Sequence, residues 1–271
     1  MPRTLSISLP ELKMCKHCDK IATGYDGVCV IHARRRNLGR YSSSPRPRAS
    51  VKHPMGVEIE CYNPSGITHY VTHVSEYVCE DGSLPSGGGE IKLCSPENKM
   101  EDKAADVVQR AVIAGNKANK QCGLHLHFQR PIISWDALRR LKSFVAEIQD
   151  FMFDIVPKSR KFNRYCEKLG NESIQSHYCW FSLSDRHPTY EIRIHGGTMN
   201  PWKVKGWINA WVQVRPDIDK IVHGLEGWED TVVSYRHDGF LKKLDPNSIG
   251  YRYIKARANN EGTLKNFGFS R

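Results

Sequence analysis

Three short segments alternate polar and apolar residues, and each places a different reactive group on one side. Gly56-Val-Glu-Ile-Glu-Cys61 sets Glu58 and Glu60 against Val57, Ile59 and Cys61. Cys122-Gly-Leu-His-Leu-His-Phe128 sets His125 and His127 against Leu124, Leu126 and Phe128. Tyr190-Glu-Ile-Arg-Ile-His195 sets Glu191, Arg193 and His195 against Ile192 and Ile194. Side chains on a strand have period two, so each polar set shares a face with roughly 7 Å between members. Two carboxylates at that spacing repel by about 2–3 kcal/mol at an effective dielectric near 20, unless a cation intervenes. Oxygen ligands favour Mg²⁺ or Mn²⁺, and a histidine moves the preference toward Mn²⁺. Glu90, directly after Ser86-Gly-Gly-Gly89, offers another carboxylate, and Asp81 a further one. Glu58, Glu60, Glu90, Glu191, His125 and His127 together are enough for two metal ions, which can clamp a phosphoryl group during in-line transfer. Arg160 and Arg164, in Lys158-Ser-Arg-Lys-Phe-Asn-Arg164, and Arg193 supply the fixed cations that phosphates require.

The elements that must position these groups follow from the pattern. Strands are expected at 56–62, about 70–79, 90–94, 122–129, about 177–184 and 189–195. Helices are expected over 100–116, after the Ser134 cap up to Pro157, and over 203–214. Past about residue 230 the periodicity fades. Strand pairs with interposed helices predict an α+β fold: an antiparallel or mixed sheet with helices on one face and the polar set on the other.

A second constellation lies near the N-terminus. Cys15-x2-Cys18, ten residues, then Cys29-x2-His32 has the ligand types and spacing of a tetrahedral structural zinc site. So short a segment cannot bury a core, and the metal would provide most of its folding free energy. Residues 1–55 hold 11 of the 40 basic residues and only 3 of the 29 acidic ones, so the excess of positive charge belongs mainly to this end. It suits a polyanionic partner such as nucleic acid, or a protein surface, and equally a solvated basic arm. The expected division is a zinc-finger-like module at 1–36, a basic Pro/Ser linker at 37–54, a catalytic domain at 55–230 and a C-terminal extension at 231–271. Nine cysteines, an odd number, argue against a complete disulfide framework, and the expectation is a reducing cytoplasm with no membrane partner.

Gly56-Val-Glu-Ile-Glu60, Gly88-Gly-Glu-Ile91, Cys122-Gly-Leu-His-Leu-His127, Arg160-Lys-Phe-Asn-Arg-Tyr-Cys166 and Glu191-Ile-Arg-Ile-His-Gly-Gly-Thr198, in that order, resemble the amidoligase family. These are glutamine synthetase-like carboxylate–amine ligases, often encoded by phages or bacteria. The resemblance covers roughly residues 55–225 and implies a glutamine synthetase-like catalytic core. By matching motif it implies that Glu58, His125 and Glu191 hold the metal nearest the transferred phosphoryl, and that Glu60 and Glu90 hold a second. It implies that His127 contacts the phosphates of ATP and Arg193 the phosphoryl or the carboxylate substrate, with Arg160 and Arg164 on the phosphate side. The Asp81 role has no clear counterpart in glutamine synthetase, and the zinc-like module lies outside the resemblance. The expected reaction is ATP-dependent formation of an amide through an acyl phosphate, with Asp81 or Glu60 accepting the amine proton. A phosphotransferase on the same fold, or a non-catalytic nucleic-acid- or assembly-binding protein carrying a zinc module, would also account for the residues.

Overall fold

The computed structural model describes residues 54–63, 76–80, 84, 88–130, 133–184 and 188–259. The expected zinc ligands Cys15, Cys18, Cys29 and His32, the linker up to residue 53, Asp81 and the last twelve residues lie outside these. Six strands form one sheet: β1 (Pro54–Tyr62), β2 (Glu76–Glu80), β3 (Gly88–Pro96), β4 (Gly123–Gln129), β5 (Phe181–Ser184) and β6 (Thr189–Gly196). Their order is β2-β3-β1-β4-β6-β5, and every adjacent pair is antiparallel. The architecture is thus α+β.

One face of the sheet is apolar because the alternation demands it. Met55, Val57, Ile59 and Cys61 of β1, Leu124, Leu126 and Phe128 of β4, and Tyr190 and Ile192 of β6 are fully buried. They pack with a helical layer of α1 (Glu97–Ile113), α2 (Trp135–Ile155) and α4 (Pro201–His223). The buried residues of α1, Met100, Ala104, Val107, Val108 and Ala111, recur at helical spacing. Ser134 caps α2 by accepting from the Ala137 N–H at 3.2 Å, and Val156 and Pro157 end it. A one-turn helix, α3 (Lys158–Lys161), follows and carries Arg160.

Helix α4 runs further than the 203–214 expected. Asn200 accepts from the Trp202 and Lys203 N–H groups at 3.0 and 3.1 Å, and Gly224 closes the far end at φ 62°. Pro216 lies inside the helix rather than ending it. Its missing N–H forfeits one bond, but Ile218, Ile221 and Val222 carry the buried stripe onward, and packing outweighs that loss. Past residue 230, where the sequence pattern faded, the chain forms α5 (Trp228–Val233), α6 (Gly239–Lys242) and α7 (Ile249–Ala258). The expected boundary at 230 falls inside α5, and α7 lies across α4. A Cβ placed on Gly206 would stand 2.6 Å from the Tyr253 Cβ, and one on Gly250 would stand 2.6 Å from the Ala210 nitrogen. Two glycines therefore let α4 and α7 approach backbone to backbone. Among the described residues no helix is long and apolar enough to cross a membrane.

Candidate metal and phosphate site

The register of the sheet assembles the polar face. β1 sits between β3 and β4, so Glu58 is opposite Lys92 on one side and His125 on the other, while Glu60 is opposite Glu90. On the far side of β4, His127 is opposite Glu191. Cross-strand partners share a face, so the alternation within each strand and the pairing between them gather these groups into one nest.

Glu58 and Glu191 face the two imidazoles. Glu58 Oε2 lies 3.4 Å from His125 Nδ1 and 3.4 Å from His127 Nε2, and Glu191 Oε1 lies 3.6 Å and 3.8 Å from the same two nitrogens. Arg193 Nη1 donates to Glu191 Oε1, and Arg193 Nε donates to the Tyr165 carbonyl at 3.2 Å. The Ser182 hydroxyl reaches Glu191 Oε2 at 3.4 Å. Burial works against ionising Glu58, but His127 and His125 outweigh it and hold the carboxyl well below the usual range. The same balance, with His127 and Arg193 prevailing over burial, lowers Glu191. Burial alone would lower His127, yet Glu58 and Glu191 raise it.

One atom has the setting of a metal ligand. His127 Nε2 is buried and makes no hydrogen bond, although it points between two carboxylates. His127 Nδ1 lies 3.4 Å from the Thr189 hydroxyl, and with Nδ1 as the donor Nε2 keeps its lone pair. Ligand atoms of Glu58, His127 and Glu191 all lie within 4.8 Å of one another. Two carboxylates and one imidazole suit Mn²⁺ or Mg²⁺. The sequence reading had instead given His125 to this ion and His127 to the phosphates. In the structure both His125 nitrogens face carboxylates, Nδ1 towards Glu58 and Glu191 and Nε2 towards Glu60 Oε1 at 3.5 Å.

The remaining expected residues divide. Glu60 Oε2 accepts from the Gly123 N–H at 2.5 Å, which ties β1 to the start of β4. Glu90 lies in the nest beside Lys92, 2.7 Å away. Burial and the Glu58 charge raise the Glu90 carboxyl despite that lysine. Arg160 is buried, its Nη2 donating to the Cys122 carbonyl, so it braces the loop before β4. Arg164 is exposed, donates to the Tyr165 hydroxyl at 2.8 Å and stacks on that ring 4.9 Å from its centroid, and it makes no ion pair with the nest.

His195 does not join the polar face. Leu124 is opposite His195 and Leu126 is opposite Ile192, so β6 fits one extra residue between those pairs. The bulge inverts the alternation. His195 therefore shares the helical face with Leu124, stacks 4.9 Å from Trp207 and accepts from the Tyr253 hydroxyl at 2.6 Å. Its Nδ1 donates to the Gly196 carbonyl at 2.5 Å, and burial pushes its pKa down to about 3.

Lys92 is the residue that sequence reasoning missed. It bridges Glu58 Oε1 and Glu90 Oε2 at 2.7 Å each. Glu58 and Glu90 raise its pKa against the effect of burial. The signal was present, since Glu90-Ile91-Lys92 alternates like the other three segments.

Residues 91–185 match a family model described as "putative amidoligase enzyme". That span includes Lys92, His125, His127, Arg160 and Arg164 and stops before Glu191 and Arg193. No curated protein matches the chain. This stretch, about a third of the chain, is thus similar to amidoligases, which points at the coarse level to a ligase-like enzyme.

Proposed function

We propose that the protein is an ATP- and Mg²⁺- or Mn²⁺-dependent carboxylate–amine ligase that forms an amide through an acyl phosphate. The observation that carries this reading is the convergence of Glu58 and Glu191 on the buried His127 Nε2, which makes no hydrogen bond, with Arg193 alongside. Hydroxide is a poor leaving group, so a carboxylate must be activated before an amine can displace it. A carboxylate oxygen bonds to the γ-phosphorus of ATP, the bond to the β,γ-bridging oxygen breaks, and ADP departs. The amine nitrogen then attacks the acyl carbon, inorganic phosphate leaves, and the amine proton passes to a carboxylate, Glu60 or Asp81.

A divalent ion held by Glu58, His127 and Glu191 would neutralise phosphate charge at this site. Arg193 is fixed by Glu191 and the Tyr165 carbonyl, so its remaining N–H groups meet phosphoryl or carboxylate oxygens without reorganising. His125, between three carboxylates, keeps them in register. A zinc-bound module at Cys15, Cys18, Cys29 and His32, together with the basic linker, would carry the enzyme to a macromolecular substrate, nucleic acid or protein, in the cytoplasm.

The test is ADP release by the full chain with ATP, Mg²⁺ or Mn²⁺ and a panel of carboxylates and amines. Release should require both substrates and give an amide. Glu58→Ala and His127→Ala should lose binding of the ATP–metal complex, and normal binding by both would refute the site. A stable phosphorylated product in place of an amide would make the protein a phosphotransferase. Salt-sensitive nucleic-acid binding that disappears when residues 1–54 are removed tests the partner of the N-terminal segment.

A further inference from the structure

Lys92 stands where a second cation would act. Its Nζ lies 2.7 Å from Glu58 Oε1 and 2.7 Å from Glu90 Oε2, midway along a row of carboxylates. The two oxygens of Glu58 are thereby divided: Oε1 faces the ammonium, and Oε2 faces His125 and His127. Glu60 and Glu90 were the expected ligands of a second ion, but each already has a partner. Glu60 accepts the Gly123 N–H and faces His125, and Glu90 holds Lys92. Among the described residues, Glu58, His127 and Glu191 form the single cluster of three or more ligand groups.

The charges point the same way. Glu58, Glu60, Glu90 and Glu191 are the carboxylates of this face, and among the described residues Lys92 and Arg193 are fixed cations ion-paired to them. With His127 neutral, as metal ligation requires, the carboxylates outnumber these two cations, which suits the addition of a divalent ion. A second ion beside Glu90 would have to displace or repel the ammonium.

We propose that Lys92 is a built-in replacement for a second metal ion, so that the nest takes one divalent cation, at Glu58, His127 and Glu191. Lys92 is a positioning residue in this scheme, holding Glu58 Oε1 so that Oε2 is presented to the ion. The inference rests on the metal-dependent reading of the site and deepens it by fixing the number of ions.

The experiment counts ions without requiring turnover. The full chain is titrated with Mn²⁺, and free Mn²⁺ is followed by its electron paramagnetic resonance signal. Mn²⁺ is a poor match for the thiolate set near the N-terminus. Wild type should bind one ion per chain, and Glu191→Ala should bind none. Lys92→Gln, which removes the charge while keeping a polar side chain, should bind two, and Lys92→Arg should keep one. Two ions in the wild type, a single ion in a folded Lys92→Gln protein, or an ion retained by Glu191→Ala would each overturn the proposal. A wild-type chain that binds no Mn²⁺ would refute the metal reading itself, and the inference with it. The wild-type count decides the matter even if Lys92→Gln does not fold, which far-UV circular dichroism reports.

Discussion

Replacing Gly123 by alanine perturbs the nest by a single methyl group. A Cβ at this position would lie 2.5 Å from His125 Nε2 and 2.7 Å from Arg160 Nη2. Ordinary contact begins near 3.4 Å, so the imidazole has to retreat by about 0.9 Å or the strand has to bend. His125 has no free direction to move in, because its nitrogens face Glu58, Glu191 and Glu60 at 3.4–3.6 Å. Arg160 is equally confined, being buried and bonded to the Cys122 carbonyl. Overpacking of this kind costs about 1–3 kcal/mol. In a domain of this size that lowers the melting temperature by roughly 2–12 °C. The backbone N–H that Glu60 accepts survives the substitution, so the variant isolates displacement of the ring from loss of a hydrogen bond. Displaced neighbours of a metal ligand typically weaken binding by about 10–100-fold. Mn²⁺ titration and a thermal melt on the same sample measure both effects. Wild-type affinity together with wild-type melting would refute the claim that His125 is wedged among these carboxylates.

Arg193→Lys keeps the charge but cannot span Glu191 and the Tyr165 carbonyl together. ATP affinity in the presence of Mn²⁺ should fall about tenfold or more, measured by equilibrium dialysis with a non-hydrolysable analogue. Gly250→Ala drives a methyl against the Ala210 backbone across the α4–α7 contact. It should cost about 1–3 kcal/mol in a denaturant melt while leaving Mn²⁺ affinity unchanged, because the contact lies on the opposite side of the sheet. His195 is held neutral, so its contribution to stability is fully present above the unfolded-state value near 6.5 and is lost as pH falls towards about 3. His127 has a raised pKa, so its contribution is already complete below that unfolded value and adds no slope there. Between about pH 6 and 4.5, wild-type stability minus that of His195→Asn should therefore decline by roughly 1 kcal/mol per pH unit, followed by chemical denaturation. A difference that stays flat over that window would mean His195 is not held neutral.

The strands that carry the site were legible because each encodes its own inside and outside. Val57 and Ile59 against Glu58 and Glu60, or Leu124 and Leu126 against His125 and His127, leave little choice of face. Which strands become neighbours is a long-range matter that alternation cannot state. Lys92 matters because β3 lies against β1, and nothing local announces that pairing. The exchange of the histidines has the same origin: both lie on the expected face, and the side-chain placement brings His127 Nε2, rather than His125, into the ligand cluster. Helices α5 and α6 are too short to display a period. A short basic run cannot say which of its members turns inward, and here Arg160 does while Arg164 stays exposed on Tyr165.

The irregularity between Ile192 and His195 has a consequence for how β6 can change over evolution or by design. It leaves Arg193 at the charged nest and both Ile194 and His195 buried on consecutive positions. Deleting Ile194 would restore even pleating and keep residue 195 opposite Leu124, so its imidazole would stay with Trp207 and Tyr253 while the strand lost a buried isoleucine. What the extra residue adds is buried apolar area rather than the side on which residue 195 lies.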